Sequence, residues 1–390
     1  MKVLCVTSDL LGNFTFSAHL LDAIRTVPWV QMEVVRLCEE DYREHEPPAW
    51  MRKAGPFRTR YVLQRKLRQV DVGSCDAIFL EFWEAALAFD HWLTRRPVAL
   101  AMDLVPTLAS ELSLQNTAST WRRELKRTAW RLYDREFRKS LTDVDVFAPI
   151  CQWVANGLTR DYGIDDSQVG VTYVPLNVQE WRPRESDTAS TANDDVSPQD
   201  DSRATAGQPR PKRLLFVGND FRRKGGERLL DLYREHLSDI ATLTIASRDP
   251  ILEHVSIPPG VTLLRDCLRK DLLEVYQASD LFVFPTRLDI LPNAIGEALA
   301  TGTPCIATDI GGISELVRHG ETGVLLPFHA STSEWGAQIR ALLQDDVRLE
   351  RLSQGARRFA EETLGLDRFN HVVAEVLDQL KGSRSRYGRS

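Results

Sequence analysis

At 390 residues the chain is roughly two to three times the size of a typical domain, so two units with separate cores are expected. A composition of 43% hydrophobic and 27% charged residues excludes collagen-like, coiled-coil and wholly disordered classes. With 49 Lys+Arg against 55 Asp+Glu, the net charge of -6 leaves no whole-chain basic field for nucleic acid, so any basic function must be local.

The chain opens on a strand-like run, KVLCVT (2–7), which Asp9 cuts off before it could serve as a signal-peptide core. Further short apolar runs follow at 32–37, 77–82, 98–102, 145–150 and 169–174, separated by helix-period segments. Runs of this length, rich in Val, Ile, Leu and Phe, predict strands of a parallel sheet covered on both faces by helices. Two basic stretches lie within this half. Residues 51–69 hold Arg52, Lys53, Arg58, Arg60, Arg65, Lys66 and Arg68 without an acid, and 121–139 holds eight cations against three acids. In the second stretch Trp121, Leu125, Ala129, Leu132 and Phe137 fall near helical spacing, which reads either as a core-facing stripe or as a face for an anionic membrane.

Residues 184–212 carry Val196 as their only large aliphatic side chain and six acids among Ser, Thr, Ala and Pro, the composition of a disordered linker. Beyond it the alternation resumes, with strand-like runs at 213–218, 242–247, 261–265, 281–285, 303–308 and 322–327. The chain is therefore expected to hold two doubly wound α/β domains: 1–183, a linker at 184–212, and 213–390, the C-terminal helices being free to pack back on the first. Ligands of such sheets bind beyond the carboxyl ends of the strands, and the cleft between two such domains is the expected site.

No apolar run reaches the length of a membrane-spanning helix. The six cysteines are scattered, without a C-x-x-C pair or histidines at zinc spacing, so reduced thiols, a cytoplasmic location and no metal are expected. Asp143-Val144-Asp145 has the D-x-D form of a metal motif, but it stands at the entry to a strand and not at the exit.

The chemistry concentrates in the second half. Gly218 through Gly226 (GNDFRRKGG) follows a strand and opens a helix, where glycine permits close backbone approach and free N–H groups favour an anion. Arg223 and Lys224 add charge-assisted donors suited to a diphosphate, although the same residues also suit a solvated helix start. Farther on, Asp289 and Glu297 flank Pro292, a residue placed to begin a helix, so that a loop carboxylate and a helix carboxylate can accept hydroxyl protons from one ligand. Thr308-Asp309-Ile310-Gly311-Gly312 repeats the strand, glycine and helix logic.

These residues resemble the nucleotide-sugar domain of the retaining GT-B glycosyltransferases of family 4. Glu297-Ala298-Leu299-Ala300-Thr301-Gly302-Thr303-Pro304-Cys305-Ile306-Ala307-Thr308-Asp309-Ile310-Gly311-Gly312-Ile313-Ser314-Glu315 follows that family's pattern, and Gly320 to Pro327 extends it. The resemblance implies a sugar transfer from a nucleotide diphosphate sugar, used as a co-substrate without a further cofactor or metal, to a glycan, lipid-linked or small-molecule acceptor. Polysaccharide, lipopolysaccharide or glycolipid synthesis at the inner face of the plasma membrane would suit it. By position it makes Glu297 the ribose carboxylate, Asp289 the contact to sugar hydroxyls, and Arg223 and Lys224 the diphosphate cations. Gly218, Leu291, Pro292 and Asn293 would offer backbone to phosphate and sugar, Asp266 to Leu268 would lie along the base, and Gly12 in the reduced first glycine loop would approach the phosphate. Met102 stands where many relatives have a His, which makes the adjacent Asp103 the acceptor-side candidate; Asp9 and Glu81 share its strand-end position. Asp289 replaces the family's usual first Glu, and Asn219 a frequent Arg. Other readings are a sugar phosphorylase, a nucleotide-sugar epimerase, or a nucleotide-sugar or glycan-binding protein without turnover.

Overall fold

A computed structural model of the chain describes residues 1–9, 14–48, 55–88, 96–115, 120–184 and 211–383. It divides into two units, Met1–Asn177 with Glu362–Ser390, and Val178–Glu361.

In the first unit the order is β1 (Lys2–Ser8), α1 (Phe14–Arg25), β2 (Gln31–Leu37), α2 (Glu39–Glu44), α3 (Gly55–Leu67), β3 (Ala77–Leu80), α4 (Trp83–Ala86), β4 (Val98–Met102), α5 (Pro106–Gln115), α6 (Thr120–Leu141), β5 (Val146–Pro149) and α7 (Gln152–Tyr162). The strands form one parallel sheet in the order β2-β1-β3-β4-β5. Its strands β3 and β4, and the edge strand β5, are buried along their whole length, as their unbroken apolar runs require.

The predicted sixth strand, 169–174, is absent. Gly170 and Thr172 donate their N–H groups to the Phe147 and Pro149 carbonyls. Pro149 has no N–H to return, and Tyr173 leaves the extended region at φ 54°, so the ladder does not propagate.

The second unit runs β6 (Lys212–Val217), α8 (Gly226–His236), β7 (Ala241–Ala246), β8 (Val261–Leu264), α9 (Arg269–Gln277), β9 (Leu281–Phe284), α10 (Asn293–Ala300), β10 (Cys305–Asp309), α11 (Ile313–Leu316), β11 (Gly323–Pro327), α12 (Thr332–Leu343) and α13 (Asp346–Thr363). All six of its predicted strands form, in a parallel sheet of order β11-β10-β9-β6-β7-β8. Residues 178–183 sort with this unit because the Arg357 guanidinium donates to the carbonyls of Val178, Trp181 and Ala300, and because the fully buried Trp181 ring packs edge-on against Tyr276. Residues 185–210, nearly all of the predicted linker, lie outside the described residues. The last helix, α14 (Leu366–Ser383), belongs to the first unit, where it packs on α1, β4 and β5 with Phe369 edge-on against Phe16. No helix among the described residues is long and apolar enough to cross a membrane.

The start of α8 depends on one backbone conformation. Gly225 sits at φ +84°, and a Cβ there would lie 2.0 Å from the Pro285 carbonyl oxygen. Gly320 has a similar φ of +80° with nothing within 4 Å of its added Cβ. Urea unfolding is therefore expected to show Gly320→Ala losing about 1 to 2 kcal/mol, the left-handed penalty alone. Gly225→Ala is expected to lose about 3 kcal/mol or more, because backbone must also move.

Candidate active site

Strand order locates the site in the second unit. β6 lies between β7 and β9, and the chain reverses its direction of sheet growth between β6 and β9. The loops leaving these two neighbours diverge and leave a crevice at their carboxyl ends, where ligands of doubly wound sheets bind. Loop 218–225 and loop 285–292 touch there. The Arg287 N–H donates to the Arg223 carbonyl at 2.9 Å, and Gly225 presses on Pro285. From the other side Gly311, at φ +59°, packs so closely that a Cβ would come within 2.5 Å of the Asp289 carbonyl oxygen.

These loops bring together three of the predicted residues. The Arg223 guanidinium donates through Nε to Asp220 at 2.7 Å and through Nη1 to the Leu288 carbonyl at 2.5 Å, with Asp289 Oδ2 at 3.4 Å. Lys224 Nζ stands 3.5 Å from the same Asp289 oxygen and 5.2 Å from the centre of the Phe284 ring. Its alkyl stem lies over Gly218, where a Cβ would meet Cδ at 2.4 Å. The glycine thus makes room for the lysine stem in addition to leaving its own backbone bare. Arg223 and Lys224 point their charge at one half-buried carboxylate at distances too long for strong bonds, an arrangement that an incoming dianion can displace.

Glu297 occupies the first turns of α10, which begins directly after Pro292. The hydroxyl of the fully buried Tyr276 lies 3.2 Å from Glu297 Oε2 and 3.0 Å from the Ala294 carbonyl, one proton serving both acceptors. Burial pushes the Glu297 carboxyl up to about 7, against the lowering effect of the Tyr276 hydroxyl and of the Arg269 and Lys224 charges. Lys224 therefore acts electrostatically on both carboxylates. A carboxylate held at this balance ionises fully when ligand hydroxyls donate to it.

The remaining predicted residues are placed as follows. Gly218 is buried at the end of β6, and Leu291 and Pro292 are buried in the loop before α10, with Asn293 exposed at its first position. Asp266 is exposed, and Leu268, at the start of α9, is an exposed large apolar side chain. Gly12 lies outside the described residues. In the first unit Asp103 follows β4, while Met102 is fully buried. Glu81 follows β3, accepting from the Ser17 hydroxyl at 2.5 Å and the Ser8 N–H at 3.1 Å. Burial raises the carboxyls of Glu81 to about 7, of Glu84 to about 8, and of Asp103, with the Asp103 charge adding to the first two. Asp145 of the D-x-D sequence accepts the Val98 N–H at 3.0 Å where it enters β5. Among the described residues no group of three or more His, Cys, Asp or Glu is arranged to hold a metal.

Four contributors are not among the predicted site residues. Tyr276 orients Glu297 from a different helix. Asp249 accepts the Phe221 N–H at 2.8 Å, and Asn219 accepts the Arg248 N–H at 3.1 Å, so the segment Ser247 to Pro250 fastens loop 218–225 from behind. Asp220 holds the Arg223 guanidinium. Only the Asp-Pro pair at 249–250, a helix-start signal, was visible in the sequence.

Two doubly wound parallel sheets in succession are the layout of the GT-B architecture. The solved sucrose-phosphate synthase of Thermosynechococcus elongatus shares it, with a TM-score of 0.71 at 17% identity over 98% of this chain and 100% of that one. So does Anabaena HepE in complex with UDP-glucose, at 0.65 and 18% over 97% and 99%. WaaG, a glycosyltransferase involved in lipopolysaccharide biosynthesis, follows at 0.64 and 13% over 98% and 100%. Residues 211–345 match the family described as glycosyl transferases group 1. Among curated proteins, the D-inositol 3-phosphate glycosyltransferase of Rhodococcus opacus is 31% identical over 221 residues, 52% of this chain and 46% of that protein. The chain thus spans about half the length of the first curated relatives it matches.

The raised Glu297 carboxyl makes a prediction with a defined sign. Its folded-state value of about 7 exceeds the ordinary value of 4.5, so the folded state holds the extra proton and wild-type stability falls as pH rises from 4.5 to 7. Urea unfolding of Glu297→Gln, which cannot ionise, should show a stability advantage over wild type that grows across this window and is flat above it. In Tyr276→Phe the upper end of the window should move to higher pH. A variant-minus-wild-type curve that is flat from pH 4.5 to 7 would contradict the assignment.

Proposed function

We propose that the chain is a retaining, metal-independent glycosyltransferase that moves a sugar from a nucleoside diphosphate to an acceptor hydroxyl. The single observation that carries this reading is the convergence of Arg223, Lys224 and Asp289 at the β6/β9 switch point, with Glu297 electrostatically linked through Lys224. In this reading the two cations hold the diphosphate, Asp289 accepts from sugar hydroxyls, and Glu297 accepts from the ribose. Gly218 and the backbone of Leu291, Pro292 and Asn293 line the phosphate and sugar, and Asp266 and the exposed Leu268 flank the base. Asp103 serves the acceptor. A nucleotide-sugar donor is supported by the group 1 segment and by the UDP-glucose seen in the HepE relative. Surface polysaccharide, lipopolysaccharide or glycolipid synthesis on the cytoplasmic side is the setting we infer, with WaaG as the supporting comparison.

In the transfer, the bond from the anomeric carbon to the diphosphate oxygen breaks and a bond from the same carbon to the acceptor oxygen forms on the same face. The acceptor proton passes to the departing diphosphate. The chain's part is to offset the growing phosphate charge, which Lys224 and Arg223 can do once phosphate replaces Asp289 as their partner. The fully buried Met102, where a polar strand-end residue would serve chemistry, favours a second reading, a nucleotide-sugar binder without turnover.

A thermal-shift panel of UDP, GDP and ADP sugars tests the class. At least one donor is expected to raise the melting temperature, and Lys224→Met should weaken its binding roughly 10- to 100-fold, the worth of a bond to a charged group. Glu297→Gln should also lose nucleotide release in the presence of acceptor while keeping its fold. No shift with any nucleotide sugar would overturn the reading. Binding of a donor without nucleotide release, across glycan and lipid acceptors, would favour the silent binder.

A further inference from the structure

Given the transferase reading, on which this rests, we propose that the cleft between α2 and the start of α3 is a specificity subsite that takes the carboxylate of an acidic sugar on the acceptor. The cleft encloses about 460 Å³ and is lined by Tyr42, Arg43, Glu46, Pro47 and Arg58. That volume falls in the range of about 300 to 1,000 Å³ usual for small-molecule sites.

Arg58 is set up for an anion that its surroundings do not supply. Its guanidinium lies over the Tyr42 ring at 4.5 Å, and the Tyr42 hydroxyl is tied to Thr59 Oγ1 at 2.9 Å, so the ring that supports the cation is itself held. Arg58 Nε is buried without an acceptor, and no carboxylate pairs with Arg58 among the described residues. About two turns farther along α3, Lys66 shows the opposite case, bonded to both oxygens of the buried Asp41 at 2.5 and 2.7 Å. A buried donor left unpaired is costly, so one that stands at a cleft calls for a ligand. Arg43 opens on the same space and is held only by Glu39 at 3.8 Å, both side chains being largely exposed.

Charge and position select that ligand. Two guanidiniums and the Glu46 carboxylate leave the lining one positive charge in excess, which a single carboxylate balances and a phosphate dianion exceeds. More carboxyls stand nearby. α3 packs on α2 and on α4, the helix that carries Glu84. The charges of Glu84 and Asp41 act on the Tyr42 hydroxyl against that of Arg58, and Asp103 acts in turn on Glu84. The cleft is thus a neighbour of the strand-end carboxyl assigned to the acceptor, and a second negative charge on the ligand would be opposed there. The buried Pro47 and the Tyr42 ring give apolar surface for a sugar ring, and the exposed Glu46 can accept from its hydroxyls.

Ligand-observed NMR titration of the full chain with methyl glucuronide, methyl glucoside and glucose 6-phosphate tests the assignment. The glucuronide is expected to bind roughly tenfold or more tightly than the glucoside, the worth of one hydrogen bond to a charged group, and more tightly than the phosphate. Arg58→Gln should erase this preference. Arg43→Gln, a change at a largely exposed side chain, should reduce it, and both variants should melt within a few degrees of wild type. Equal binding of glucuronide and glucoside, tighter binding of glucose 6-phosphate, or an undiminished preference in either variant would overturn the assignment. Thermal shifts with nucleotide sugars, read in the same variants, should be unchanged. A donor shift without a glucuronide preference would sink the cleft alone. A glucuronide preference without any donor shift would keep the cleft as an acidic-sugar site and remove the transferase reading.

Discussion

The pairing of β6 with β9 is the constraint on which the second unit's site depends. Leu214 opposite Leu281 and Leu215 opposite Phe282 fix two strands far apart in sequence as neighbours, and their outgoing loops become the two walls of one crevice. Everything charged in the site hangs from those loops. Arg223 bridges them directly through the Leu288 carbonyl, and Gly225 allows them to approach to van der Waals contact. The loop order is imposed by the hydrophobic runs of the strands, so the position of the anion site follows from burial and not from the cations themselves.

Beneath the loops a string of aromatic rings ties the two ends of the site together. Phe221 packs edge-on to Phe216, Phe216 stacks on Phe284, Phe284 on Phe282, Phe282 meets Tyr276, and Tyr276 meets Trp181. Lys224 rests above one member and Glu297 is held by the hydroxyl of another. The same string that gives the lysine a face to rest on also carries the tyrosine hydroxyl that meets the glutamate, whose carboxyl burial pushes up while that hydroxyl and the cation oppose the shift. Packing density here sets the electrostatics.

Much of this was legible in the sequence because strands buried on both faces leave an unmistakable apolar run, and because glycine at a strand end constrains backbone in a way few other residues can. All six strands of the second unit and the helix start after Pro292 follow from such signals, whereas the grouping of Arg223, Lys224 and Asp289 follows from the family resemblance. The 169–174 run failed for a reason a propensity cannot carry: its potential partner strand ends in a proline. The roles of Tyr276 and Asp249 were invisible because they are tertiary, a hydroxyl and a carboxylate reaching across from other elements, and for Asp249 only the helix-start signal could be read. The apolar positions of α6 read as one stripe in the sequence because Phe137 lies close to helical spacing, but its angular position puts it on the buried side, opposite the exposed Trp121.

The first unit uses the same topology to reach the opposite charge. Its switch lies between β1 and β3, and there too a strand-end group is gripped by its neighbours: Glu81 by Ser8 at the end of β1 and by Ser17 of α1. Where the second unit presents Arg223 and Lys224, the first presents Glu81, Glu84 and Asp103, three carboxyls that burial holds toward their neutral forms, with the Asp103 charge adding to the effect on the two glutamates. A phosphate brought to that edge would meet carboxyls it drives further toward protonation, whereas hydroxyl groups can donate to them or accept from them in either state. The fold alone would permit an anion at either switch point. The side chains at the carboxyl ends of the strands distinguish the two, carboxyls in the first unit and two cations in the second.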